Sequence, residues 1–489
     1  PGDVVASFGS GLSNSGDSLF LLAGSAVIDT ANADGGPWPA GSGSPTYTSM
    51  ERVDPFQPDT DANWTANDGR HRNGLAADGS PLNGTPRQAN SAAFPAPTPE
   101  PSPTPTPALP LTIGEVLYDG QAAGSEGDEF VEICNPNAGP VNLAGYKVGD
   151  EETAGGGESM LLLPSLELPP GGCVVFAKSA VDFTARFGFA PAAELSSLPK
   201  YTAWSSGGWS LANTGDEVLL LGPADQIFDS VAFRGGEYGL LGLSGDAAAP
   251  EPLSLQRVGF TDTNSMPFDF VRAAPNPGQP TLPPAPPNPA PLPAALPGGM
   301  NAYWGHLHAH TTVSDGAGPP HYALALARAA GLHFYAITDH GWRTELAEWT
   351  VVLSQTQAAT VPGQFVALRG VEWTLDDAGH INVFNSDTLL SRTNPLFANL
   401  PGMYNWLAAH PQVVAQFNHP DPGYGGTFNN FALHSGAASQ LFLQEIGNAA
   451  QGYSFYETSF LQSNYAGWRI APTINGDTHS ATWGSDLPG

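Results

Sequence analysis

Two antiparallel β-sandwiches, the first of them partial, followed by an α/β barrel: this is the multidomain fold class the sequence predicts. Three observations carry it. Two Pro-rich stretches, 94–107 and 275–297, cut the 489-residue chain into three parts. Residues 1–92 and 111–274 share an internal repeat. From residue 301 the pattern changes to apolar strands alternating with helix, and of the twelve histidines only His71 lies outside 301–489.

The expected domains are a partial sandwich over 1–92, a Pro-rich linker over 93–110, a complete sandwich over 111–274, a second linker over 275–300 and a barrel over 301–489. Pro at nearly every second position favours extended polyproline II, so both linkers read as semi-rigid spacers. The repeat is carried by Leu12–Leu22 (LSNSGDSLFLL) and Leu211–Leu221 (LANTGDEVLLL), each followed by an apolar strand holding Asp29 or Asp229. Short alternating strands with frequent turn signals mean an antiparallel sandwich. The second copy has an upstream half, with strands near Ile113, Glu129–Pro136, Val141–Lys147 and Leu168–Phe176, that the first copy lacks. A half sandwich leaves open edges. The missing strands are expected in upstream sequence, since the chain starts at Pro1 inside a domain, or in a neighbouring molecule. In the second case β-strand addition would join copies head to tail into a filament. The barrel region ends ten residues after His479 and reads as C-terminally incomplete.

Composition bounds the function. Hydrophobic content of 41% is ample for several cores, and the formal charge is −30 with three lysines, Lys147, Lys178 and Lys200. Such a surface repels phosphate backbones, so no nucleic-acid partner is expected. There is no apolar run of 18 residues and no visible signal peptide, so no transmembrane segment is expected. The Thr-Pro tract is typical of exported surface proteins, which points to an extracellular or cell-surface location. Cys134 and Cys173 are the only cysteines. In an exported chain they read as one disulfide, with a pair of buried free thiols as the other reading. Asp59, Asp61, Asn67 and Asp68 fit no calcium loop and read as a turn cluster.

The chemistry lies beyond residue 301. Residues two apart on a strand share a face, so His306, His308 and His310 point the same way. His340, Glu372, His419, Asp477 and His479 close further apolar runs, and His380 opens one. Neutral imidazoles mixed with carboxylates suit Zn, Mn or Fe rather than Mg or Ca. His321, His333, His410 and His434 read as surface or core residues without such a role.

In this order the motifs resemble the PHP (polymerase and histidinol phosphatase) superfamily of metal-dependent hydrolases, and Ser314–Gly316 is most similar to its carbamate-hydrolase-like branch. The resemblance implies a distorted (β/α)7 barrel with the site at the C-terminal ends of the strands. It also implies two or three divalent transition metals (Zn, Mn or Fe). His308, His310, Glu372 and Asp477 would form a first position. Glu372, as a bridge, with His380 and His419 would form a second, and Asp315, His340 and His479 a third. Asp339 and Glu445 would orient histidine ligands, His306 would stand behind them, and Arg343 would take substrate charge. The implied activity is hydrolysis of a small phosphate, carbamate or carboxylate ester. The upstream half of 111–274 resembles the lamin-tail domain, an immunoglobulin-like sandwich, through Glu129–Pro136, Leu143–Tyr146 and Asn213–Asp216. That family implies placement rather than catalysis. The competing reading is a structural subunit of a surface layer or filament that keeps the barrel as a building block.

Overall fold

The computed structural model describes residues 11–76, 78–93, 109–287, 292–421, 426–448 and 455–485. The first Pro-rich stretch, 94–107, lies outside the described residues, as do 288–291 of the second. The chain forms two compact units, 1–107 and 108–489.

In the first unit a hairpin joins Leu19–Ala23 to Ala26–Ala31. Gly24 sits in its turn at φ 64°, a left-handed value that glycine takes without a Cβ penalty. A second pair joins Met50–Arg52 to Trp64–Ala66. Phe20, Leu21, Leu22, Val27 and Ile28 are 54–62% exposed, so neither face of the hairpin is covered among the described residues. Asp59 accepts hydrogen bonds from Asn32 N, Ala33 N, Thr30 Oγ1 and Trp64 Nε1 at 2.7–3.2 Å, which makes it a staple between loop and hairpin.

The second unit begins with two facing sheets. One runs Ala193–Glu194, Cys173–Ala177, Phe130–Cys134, Thr112–Leu117, Ser254–Arg257, Phe270–Ala273. The other runs Ile227–Arg234, Gly215–Leu221, Lys147–Gly149, Met160–Leu162. Ile113, Val131, Phe176, Val148, Val218, Leu220 and Phe233 fill the space between them. On Gly215–Leu221, Val218 and Leu220 face this core, while Leu219 and Leu221 face the opposite side with Met160, as period-two alternation requires. The helix Ala180–Phe187 covers the outer face of the larger sheet. Ser179 accepts from Asp182 N at its start, and Gly188 at φ 82° ends it. Cys134 and Cys173 lie opposite each other on adjacent strands and are disulfide-bonded, with Cα atoms 4.1 Å apart.

Two buried carboxyls, Glu115 and Glu132, lie side by side in this sandwich. Ser254 Oγ and Asn276 N donate to Glu115, and Gly278 N donates to Glu132, so the start of the second Pro-rich stretch is tied down. Burial pushes Glu132 up to about 8, with the Glu115 charge adding to the shift, and burial pushes Glu115 up to about 7. Both are therefore neutral in the fold at pH 5 and ionise readily once unfolded. Stability from this pair is full below the unfolded carboxyl value and is lost as pH rises through about 7 to 8. Moving from pH 5 to pH 9 should cost the sandwich several kcal/mol, read as a lower urea midpoint. Glu132→Gln should flatten that dependence; a variant as pH-sensitive as wild type would show the charge is not the cause.

The barrel region is a seven-stranded sheet in sequence order. Its elements are β1 (Gly305–His306), α1 (Pro320–Ala329), β2 (Phe334–Ile337), α2 (Leu346–Ala359), β3 (Val366–Leu375), β4 (Gly379–Phe384), α3 (Leu400–Ala409), β5 (Val414–Asn418), β6 (Leu441–Asn448), α4 (Glu457–Tyr465) and β7 (Ala471–Asn475). Pro320 opens α1, where its missing N–H costs nothing, and Glu345 with Glu348 forms a capping box on α2. His310 N donates to Thr478 O at 2.9 Å and Leu307 N to Asn475 Oδ1 at 2.8 Å, which brings the end of β7 to the start of the sheet and nearly closes it. The strict alternation of a (β/α)7 barrel is not what the structure has. β3 and β4 are joined by a tight turn, and β4 runs antiparallel to both neighbours. This reversal puts the first residues of β4 on the same rim as the last residues of the other strands. β1 is also shorter than expected, so His308 and His310 lie just beyond it.

Sandwich and barrel are not held apart by a spacer. Val258, Phe268 and Val271 of the sandwich belong to the same buried cluster as Val313, Ala317 and Trp349 of the barrel. Among the described residues no helix is long and apolar enough to cross a membrane.

Candidate metal centre

Glu372 sits at the middle of the rim, fully buried near the end of β3. His308 Nε2, His380 Nδ1 and His419 Nε2 lie 3.3, 3.3 and 3.4 Å from its Oε1. His340 Nδ1 and His310 Nε2 lie 2.7 and 3.7 Å from its Oε2. Asp477 Oδ1 is 3.2 Å from His308 Nε2 and 3.1 Å from His310 Nε2. Asp315 reaches the cluster from the loop after β1, with His310 Nδ1, His479 Nε2 and His340 Nε2 at 3.6, 3.5 and 3.8 Å from its carboxylate oxygens.

The nine residues expected as ligands are thus together. Donor atoms within 4.8 Å of one another group as His308–His310–Glu372, as Glu372–His380–His419 and as His310–Asp315–His340–His479. A further group, His308–His419–Asp477, was not foreseen, and neither was the place of His310 beside Asp315.

Electrostatics and strain both fit a site for cations. Burial would raise the Glu372 carboxyl, but His340, His380 and His308 outweigh it and hold it well below the usual carboxylate range. Asp477 is held down in the same way by His308, His310 and His419. Burial opposes protonation of His479, yet the Asp315 carboxylate brings it up to about 9. Imidazole nitrogens approach Glu372 Oε2 and Asp477 Oδ1, but no hydrogen bond of normal geometry reaches either buried oxygen. Buried oxygens left so are costly unless a positive charge faces them. His419 at φ 27° and Asp477 at φ 46° hold left-handed backbone, which non-glycine residues rarely adopt outside constrained sites.

A polar layer supports the cluster. Glu445 Oε1 lies 2.9 Å from His308 Nδ1, and Glu445 Oε2 accepts from His419 N at 2.8 Å. Asn418 Nδ2 donates to Glu372 Oε1 at 2.8 Å, and Asn448 Nδ2 to Asp477 Oδ2 at 3.1 Å. Asn418 was missed, although Gln416 and Asn418 alternating with Ala415 and Phe417 on an apolar strand was a readable signal. Asp339 reaches a histidine through Ser314, whose Oγ lies 3.3 Å from His310 Nδ1, and among the described residues makes no direct bond to one. It accepts from Thr311 N, Thr311 Oγ1 and Ser314 Oγ at 2.6–2.7 Å and shapes the loop before Asp315. His306 stacks on Tyr335 with centroids 5.9 Å apart, and Arg343 stands half-exposed with Nη1 3.9 Å from Asp315 Oδ2. His333, His410 and His434 bond elsewhere, to Trp304 N, Trp406 O and Ala437 N. Glu445→Gln should weaken metal binding about 10- to 100-fold, because the amide cannot hold His308 in one tautomer as firmly. Titration of chelator-stripped protein measures this, and an unchanged affinity would assign Glu445 to packing alone.

Residues 104–235 match the Lamin Tail Domain. This immunoglobulin-like module accounts for most of the sandwich. No curated protein matches the chain. Among solved structures, the chain is similar to a two-domain protein from Bacteroides vulgatus containing a predicted PHP-like metal-dependent phosphoesterase, at 19% identity, TM-score 0.26, and coverage of 37% of this chain and 52% of that one. The match therefore spans about half of that protein. It is also similar to a protein from Bifidobacterium adolescentis described as a metal-dependent phosphoesterase, at 16% identity, TM-score 0.25, and coverage of 38% and 90%. A third is an amidohydrolase from Chromobacterium violaceum with bound sulfate and no metal, at 15% identity, TM-score 0.28, and coverage of 38% and 90%. Likenesses this distant do not bear on the chemistry, which rests on the site's own geometry.

Proposed function

We propose that the chain is a metal-dependent hydrolase of small esters, phosphate esters first, working through the cluster around Glu372. The observation that carries the reading is one fully buried carboxylate shared by five imidazoles, with Asp477 spanning two of them. The donor set, mixed His and carboxylate, suits Zn, Mn or Fe. When bound, such ions supply Lewis acidity to an ester oxygen and make water nucleophilic near neutral pH.

The chain's own residues do the rest. Glu372 turns Oε1 to His308, His380 and His419 and Oε2 to His310 and His340, so its charge is shared across the cluster. Glu445 and Asn418 fix His308 and Glu372 before substrate arrives, which avoids reorganisation during reaction. Arg343, half-exposed beside Asp315, is placed to take the negative charge of a phosphate ester. The sandwich is proposed as the part that places the enzyme. Its disulfide is in keeping with an oxidising compartment, so the same proposal puts the protein outside the cytoplasm.

Elemental analysis of protein purified without chelator should give two or three transition-metal ions per chain. The same protein should hydrolyse a generic phosphate monoester. Less than one ion per chain overturns the reading.

A further inference from the structure

We propose that the sandwich does more than place the enzyme: through Arg272 it positions the loop that carries Asp315, and so governs metal binding at the Asp315–His340–His479 position. This rests on the metal-site reading above. Asp315 lies on the loop 311–318, which belongs to neither a strand nor a helix. Such a loop needs anchors to hold a ligand within a fraction of an ångström. From the barrel side the Asp339 carboxylate holds Thr311 and Ser314. Among the described residues, every other hydrogen bond that reaches the loop's main chain from outside comes from the sandwich.

Arg272 is on the sandwich strand Phe270–Ala273. Its Nη2 donates to Asp315 O at 3.0 Å and to Gly316 O, and its main-chain N donates to Ala317 O at 2.5 Å. Thr312 Oγ1 donates to Pro267 O. The strand approaches so closely that a Cβ on Gly318 would stand 2.6 Å from Val271 Cγ2. Arg272 forms no ion pair with a carboxylate among the described residues, so its guanidinium serves the carbonyls of this loop. The two N–H groups of Nη2 are fixed in the guanidinium plane and serve two consecutive carbonyls, which a freely rotating lysine ammonium does less rigidly. The cavity beside the loop, about 370 Å³, is walled by both parts: Asp246 and Arg272 from the sandwich, Ser314, Asp315, Arg343 and Glu348 from the barrel.

The other ligands do not depend on this seam. His308, Glu372, His380, His419 and Asp477 stand on or beside the strands of the barrel itself. Loss of Arg272 should therefore loosen one position and spare the rest.

The test is metal retention by the full chain during dialysis against graded chelator, counted by elemental analysis. Arg272→Met keeps the stem and removes the fork. It should release its most weakly held ion at about 10- to 100-fold lower chelator than wild type, with the remaining ions retained as in wild type. Arg272→Lys, which keeps stem and charge, should fall between the two, and it carries the test if the Met variant does not fold. Arg234→Met, which removes a different sandwich arginine, bonded to Tyr118 and not to the loop, should retain metal as wild type does. Wild-type protein without metal would sink the metal-site reading itself. Wild type that holds its ions, with both Arg272 variants releasing all of them at the wild-type chelator concentration, would overturn this inference alone. Uniform weakening of every ion in the Arg272 variants would also overturn it, since the effect would then be global.

Discussion

Glu372→Gln should lower hydrolysis of a phosphate monoester by about 10²- to 10³-fold and reduce the metal content of the purified protein. The amide has nearly the same shape, so the change removes charge rather than volume. It does so where five imidazole nitrogens lie 2.7–3.7 Å from the two oxygens. Removing one partner from a buried charged set costs about 3–5 kcal/mol, because the groups left behind have neither partner nor water. An amide also offers only one oxygen, so the two sides of the cluster can no longer share it. The sandwich has its own core around Val218, Leu220 and Phe233, and its unfolding should not move. Steady-state kinetics with metal counting on the same preparation separate the two effects. A variant that turns over substrate at the wild-type rate would falsify the bridging role.

Much of the site was legible because several ligands stand where an apolar run starts or stops. His340 and His419 follow buried strand residues, and an imidazole at a strand end must face the rim or lose its solvation. The lamin-tail half was legible for a similar reason, since its strands alternate and its turns carry glycine. Two things were not. The antiparallel run of β4 was hidden inside an expectation of regular alternation, although Asp376–Gly379 between two apolar runs is itself a hairpin signal. The contact between sandwich and barrel was invisible because proline content describes local stiffness and says nothing of what Val271 or Phe268 touch. Asp339, expected to orient a histidine ligand, does so through Ser314 and not directly. Standing next to His340, it points instead to the loop twenty-eight residues earlier, at Thr311.

Arg257→Met should destabilise the sandwich by about 3–5 kcal/mol, while Arg52→Met, the matching change in the first unit, should cost roughly 1–2 kcal/mol. The two arginines occupy equivalent places. Arg257 pairs with Asp229 at 2.7 Å and covers the Phe270 ring, while Arg52 pairs with Asp29 at 2.9 Å and covers the Trp64 ring. They differ in what lies above. In the sandwich the strand Thr112–Leu117 closes over the pair: Ile113 N donates to Asp229 Oδ2 at 2.7 Å, and Arg257 Nε donates to Ile113 O at 3.0 Å. Both side chains are then fully buried, at 0% exposure. With Arg257 gone, Asp229 would keep its charge without a cation beside it or pay to protonate. In the first unit Asp29 is 52% exposed, so water takes over when Arg52 is removed. Hydrogen exchange read separately on 111–135 and on 19–31 measures the two losses in one protein. Equal loss of protection in the two segments would mean that burial by the strand 112–117 is not what makes the pair matter.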